Sequence, residues 1–185
     1  LYANILKYQP KNPKWSERDR FILSKGHAGA GVYAVLAECG FLNKAKLMDH
    51  CQDGSVFSGH VSHKGIPGVE LSTGALGHGL PIGAGMALAA KLDRKKHHIY
   101  VLMSDGELDE GSNWEAFLFS AHHELSNLIA VIDRNRLQSI KGTETTMALE
   151  PLQDKFLSFG WNVEEVDGHN HQELKECLNL DRRKK

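Results

Sequence analysis

M-S-D-G-E-L-D-E-G-S-N-W-E, Met103 to Glu115, is the stretch on which the fold turns, and D-R-N-R-L, Asp133 to Leu137, answers it. An apolar run at 99–103 delivers an acidic Asp-Gly turn that opens an amphipathic segment. A second apolar run at 128–132 delivers an Asp-Arg-Asn turn, which places Asn135 thirty residues after Asp105. Adjacent strands of a parallel α/β sheet end on one edge, and ligands settle in the crevice outside those ends. Asp105 would bring a carboxylate to that edge and Asn135 an amide oxygen. A backbone carbonyl just past Asn135, assigned to Leu137, would close a third position. Magnesium takes near-octahedral oxygen coordination and completes it with phosphates and water. Gly106 lacks a Cβ, so a diphosphate can approach the backbone N–H groups at the helix start. The unit reads as a magnesium-diphosphate clamp on a rim position, where Asp105→Ala would abolish cation-dependent binding and spare the fold.

The surrounding pattern alternates short apolar runs with helical segments. A strand is expected at 21–23, helices at 29–39, 43–50, 79–92, 113–125 and 151–159, a strand at 161–166, and a helical pattern from His171. Residues 52–72, rich in Gly, Ser and His, read as one long functional loop. The prediction is an α/β fold, a doubly wound parallel sheet flanked by helices. One domain of 185 residues with 41% hydrophobic composition has enough apolar material for a sizeable core.

Composition excludes several classes. A formal net charge of −1 gives no nucleic-acid footprint. The longest apolar stretches, such as 82–90, are too short to span a bilayer, and no signal-like segment opens the sequence. Three cysteines, Cys39, Cys51 and Cys177, have no framework spacing and suit reduced thiols, so a cytoplasmic location is expected.

The Asp-Gly…Asn pattern resembles the thiamine-diphosphate motif, and E-L-D-E-G-S-N-W-E-A resembles its version in the transketolase family. S-K-G-H-A (Ser24 to Ala28), S-G-H (Ser58 to His60) and P-G-V-E-L-S-T-G-A-L-G-H-G (Pro67 to Gly79) extend the similarity in order. The resemblance implies the thiamine-diphosphate-binding fold, with thiamine diphosphate and Mg2+, or another divalent cation such as Ca2+ or Mn2+, as cofactors. It implies metal ligation by Asp105, Asn135 and Leu137, and cofactor contacts from His27, His60, Gly74, Ala75, Leu76, Asp105, Gly106, Glu107, Asn135 and Leu137. His27 would meet the diphosphate and His60 would line the substrate channel, where imidazoles can pass protons near neutrality. Glu110 matches an acid of a proton-linked network at the subunit interface. His27, His60 and Glu110 are the candidate catalytic residues.

Each assignment has a plainer counterpart. Asp105 can cap the helix that follows, and Glu107 and Asp109 read most simply as first-turn acids. Cys51, His60, His63 and His50 form a rival zinc set, although their spacing fits no familiar structural site. Within the resemblance, Ala75 stands where proline is common, Ser104 where glycine is usual before the aspartate, and Arg136 where a small residue is common. Ser104 is tolerable if its φ is negative.

The family's chemistry needs a glutamate from a separate pyrimidine-binding domain. Fifty residues follow Asn135, too few for that domain. Relative to the family, the single domain over 1–185 is short at both ends. The expectation is the amino-terminal, diphosphate-binding subunit of a split transketolase, paired in a heterotetramer with a carboxy-terminal pyrimidine-binding subunit. Such an enzyme moves a two-carbon ketol unit from a ketose to an aldose, acting on a sugar or sugar phosphate. A 2-oxo-acid dehydrogenase or deoxyxylulose-phosphate-synthase-like subunit, or else a noncatalytic scaffold descended from such an enzyme, remain open alternatives.

Overall fold

Three parallel strands form the centre of the chain: β1 (Arg20–Leu23), β2 (Ile99–Ser104) and β3 (Leu128–Asp133), in the order β1-β2-β3. The computed structural model describes residues 1–179. Register fixes what each face buries. Ile22 lies beside Val101 and Val101 beside Ala130, while Leu23 lies beside Leu102 and Leu102 beside Val131. Strands covered on both faces carry continuous apolar runs, which is why R-F-I-L, I-Y-V-L-M-S and L-I-A-V-I-D all qualify.

One face packs Ile22, Ile99, Val101 and Met103 against Leu80, Ala84 and Ala87 of α2 (Gly79–Leu92) and Ala116 and Phe117 of α3 (Gly111–His122). The other packs Leu23 against Val32, Tyr33 and Leu36 of α1 (Gly29–Glu38), with Phe57, Val61 and Ile66 of the long loop beneath. Helices therefore flank the parallel sheet on both sides, as expected. A Cβ on Gly83 would stand 2.6 Å from Val101 Cγ2, so this glycine lets α2 close down on β2.

Two expected elements differ. Residues 43–50 contain a 3-10 helix, Lys44–Asp49, rather than an α-helix; the Asn43 side chain caps it by accepting from Ala45 N–H at 3.0 Å. Residues 161–166 form no strand. Trp161 and Val163 pack on the α2/α3 core, and the Trp161 indole N–H donates to Phe117 O at 2.9 Å. Alternation there comes from packing against α3 and not from pairing with the sheet. α4 (Thr143–Thr146), α5 (Leu152–Ser158) and α6 (His171–Leu178) complete the described chain. Among the described residues no helix is long and apolar enough to cross a membrane.

Candidate cofactor and cation site

The carboxyl ends of all three strands meet one edge, and Asp105 is its centre. Its N–H donates to Asp133 O at 3.2 Å, which carries the pairing of β2 and β3 one residue past the strands. The side chain is fully buried. Oδ1 accepts from Gly106 N–H at 2.8 Å; Oδ2 accepts from Arg136 N–H at 2.6 Å and from Arg134 Nη1 at 2.9 Å. A carboxylate has about four acceptor positions, so Oδ2 is saturated and Oδ1 keeps one open. The capping role is real, but Asp105 also gathers the Asn135 turn. Its burial corrects the expected rim position: Asp105→Ala would strip three donors of their acceptor and disturb the fold as well as any ligand.

Asn135 is exposed, and its Oδ1 accepts one bond, from Leu137 N–H at 2.9 Å, leaving a second acceptor position. Leu137 is exposed and closes the loop by a bridge to Gly142. Arg136 takes φ 65°, the left-handed conformation that explains why a small residue suits this place. A Cβ on Gly106 would lie 3.1 Å from Gln138 Cβ, so the glycine admits the loop over the turn. Ser104 is not among the residues of positive φ, as its substitution for glycine required.

Glu107 is not a simple first-turn acid. It is fully buried, and its Oε1 accepts from the Ser24 hydroxyl at the end of β1 and from Gly77 N–H at 3.0 Å. Its Oε2 is buried with no hydrogen-bond partner among the described residues, and its backbone carbonyl accepts from Asn113 Nδ2 at 2.6 Å. Asp109 accepts from Gln138 Nε2 at 3.0 Å, fastening the loop from the other side. Gly77, at φ 81°, sits so close to Glu110 that an added Cβ would be 2.7 Å from Glu110 Cβ. Glu110 is exposed at the start of α3.

His27 lies on the 3-10 turn Gly26–Ala28, exposed at the same edge. Partial burial holds its pKa below the ordinary histidine value, and the neighbouring Lys25 and His60 push the same way against Glu107. The ring is therefore neutral at neutral pH. His60 is also exposed, and its ring lies against Gly74, where a Cβ would be 2.9 Å from Cδ2. The His60 carbonyl accepts from the Tyr33 hydroxyl at 3.1 Å and from Ser58 Oγ at 2.7 Å, so a buried tyrosine fixes this part of the loop. Ala75 is exposed and Leu76 half-buried beside them. The rival zinc set is not assembled: His63 Nδ1 pairs with Ser72 Oγ at 2.7 Å, and His50 Nε2 lies 3.7 Å from Cys51 Sγ. Among the described residues no three His, Cys, Asp or Glu side chains converge as a metal-holding group.

Sequence reasoning missed three members of this edge. Lys25 Nζ bridges to Asp133 Oδ2 at 2.6 Å, Ser24 holds Glu107, and Arg134 holds Asp105. Ser24 and Lys25 lie inside the S-K-G-H-A motif; Arg134 carries no signal beyond its place beside Asn135.

Residues 1–185, the whole sequence, match the family described as transketolase, thiamine diphosphate binding domain. The chain belongs to this transketolase family. It is 44% identical over 174 residues to one subunit of the apulose-4-phosphate transketolase of Phocaeicola vulgatus, covering 94% of this chain and 62% of that protein. It is 41% identical over 174 residues to the 6-deoxy-6-sulfo-D-fructose transketolase subunit SqwG of a Clostridium species, covering 94% and 63%. The transketolase of Campylobacter jejuni superposes with a TM-score of 0.90 at 34% identity, covering 97% of this chain and 29% of that one. The chain thus spans less than two thirds of the length of these curated relatives.

The family's ligand is thiamine diphosphate, and the residues present fit it. Two oxygens with open acceptor positions, on Asp105 and Asn135, supply the hard donors a divalent cation prefers. The glycines at 26, 74, 77 and 106 let the segments that form this edge pack closely, since a Cβ on each would stand within 3.1 Å of Thr73, His60, Ser112 or Gln138.

Proposed function

We propose that residues 1–185 form the diphosphate- and cation-binding domain of the amino-terminal subunit of a split, transketolase-like enzyme. The observation that carries this reading is that the buried Asp105 gathers the turn bearing the exposed Asn135 at the strand-end edge, where Gly106 opens the next turn and His27 follows β1. Asp105, Asn135 and the backbone carbonyl of Leu137 would hold Mg2+, or Ca2+ or Mn2+ in its place. Gly106 and His27 would face the diphosphate, with the buried Glu107 tying Ser24 to Gly77 behind them, and Gly74, Ala75 and Leu76 would face the aminopyrimidine with backbone groups.

When bound, thiamine diphosphate supplies the carbanion chemistry by which a two-carbon ketol unit passes from a ketose to an aldose. The neutral His27 can then accept or donate a proton at the substrate side, and His60, steadied through Tyr33, orients a sugar hydroxyl. Glu110 lies toward the partner and links proton positions across the interface. That partner is a second polypeptide bearing the pyrimidine-binding domain, assembled as a cytoplasmic heterotetramer acting on sugars or sugar phosphates. Two relatives that are themselves named as subunits of transketolases support the split arrangement.

Native mass spectrometry of the protein isolated gently from its source, with magnesium retained, tests the reading. The expected species contains this chain, a second polypeptide and thiamine diphosphate. A lone chain that takes up no thiamine diphosphate when it is added to the extract contradicts it.

A further inference from the structure

We infer that Arg134 is a positioning residue that makes Asp105 a one-oxygen ligand and thereby biases the site toward Mg2+ over Ca2+; the inference rests on the proposed role of Asp105 as a cation ligand. Arg134 Nη1 donates to Asp105 Oδ2 at 2.9 Å and to Thr143 Oγ1 at 2.8 Å, and Nη2 donates to Glu144 Oε1 and Glu150 Oε1, each at 2.8 Å. The guanidinium is anchored from the far side as well. Glu144 Oε1 also accepts from Leu149 N–H at 3.2 Å, and Glu150 Oε2 accepts from Leu152 N–H at 2.9 Å, so both glutamates are fixed to the backbone that follows. An arginine fork gripped by three carboxylates and a hydroxyl cannot swing away to free Oδ2.

The consequence lies in the lone pairs. Arg134 and Arg136 N–H fill Oδ2, while Gly106 N–H takes one position of Oδ1. One acceptor position remains, on one oxygen. Magnesium takes six oxygens in a tight octahedron and accepts single-oxygen carboxylates, whereas calcium takes six to eight and gains from a carboxylate that offers both oxygens. The positive charge of Arg134 repels both dications alike. It therefore largely cancels in the ratio of their affinities, and a change in that ratio reports how the ligands that Arg134 positions, Asp105 first, are presented to the cation.

The test uses the assembled protein with thiamine diphosphate and Mn2+, reading bound Mn2+ by electron paramagnetic resonance as Mg2+ or Ca2+ displaces it. Arg134→Met, which has no donors, should shift the Mg2+ to Ca2+ preference toward calcium by roughly tenfold. Arg134→Lys, which returns a charged donor to Oδ2, should recover most of the shift. If Arg134→Met does not fold, Arg134→Gln, too short to reach Oδ2, replaces it with the same expected loss. Wild-type protein that binds Mn2+ competitively while the variant's ratio stays unchanged overturns the inference and leaves the clamp standing. Wild-type protein that binds no Mn2+ overturns the clamp, and the inference with it.

Discussion

The two flanks of the site are built by different physics. On the β1 side the chain closes by steric fit: Gly26 meets the Thr73 and Gly74 backbone, Gly79 meets Ser24, and Glu107 ties Ser24 to Gly77 in the dry interior. On the β3 side Asn135, Arg136 and Leu137 are exposed, and the loop is held to Asp105 by hydrogen bonds and the Arg134 ion pair. Close-packed backbone has nowhere to move, so the first flank is preformed. The second is fixed through one carboxylate, and a cation arriving there meets ligands already ordered by charge.

The contrast can be broken most strongly at Gly26. A Cβ there would stand 2.6 Å from Thr73 O and 2.8 Å from Gly74 N, both backbone atoms. Gly26→Ala should cost about 3 kcal/mol in urea unfolding. A loss below about 0.5 kcal/mol would mean that this flank yields and is not preformed. Glu107→Ala comes next. It leaves the Ser24 hydroxyl and Gly77 N–H without an acceptor, offset in part because an unpartnered carboxylate oxygen is no longer buried. The expected loss is about 2 kcal/mol. Equal stability of Glu107→Ala and wild type would remove the tie from the account. Arg136→Gly should act in the opposite direction on the other flank. Relieving φ 65° should raise stability by about 0.5–1 kcal/mol while the 2.6 Å bond from its N–H to Asp105 is kept. A destabilised glycine variant would show that the arginine side chain contributes more than its strain removes.

The same division explains what the sequence made legible. Helix α2 fell at its expected bounds of 79–92, and the ends of β2 and β3 were found because buried parallel strands need continuous apolar runs bounded by polar turns. Asp105, Gly106 and Asn135 were legible because turn residues repeat at the ends of successive strands. Glu107 was read as an ordinary acid because its burial depends on Ser24 and Gly77, 83 and 30 residues away, which no local pattern encodes. Arg134 was missed for the same reason, since its partners Glu144 and Glu150 arrive only when the loop folds back. The expected strand at 161–166 failed because Trp161 and Val163 find their apolar contact on the α2/α3 core, and alternation cannot distinguish that from a strand.

Asn135→Ala offers the most direct test of the cation clamp. The side chain is exposed and, among the described residues, bonds its own turn at Leu137 N–H, so its removal should leave the urea midpoint unchanged. Loss of a ligand oxygen should weaken Mg2+-dependent thiamine diphosphate binding by the assembled protein at least roughly tenfold. Cofactor affinity and magnesium dependence equal to wild type would contradict the clamp.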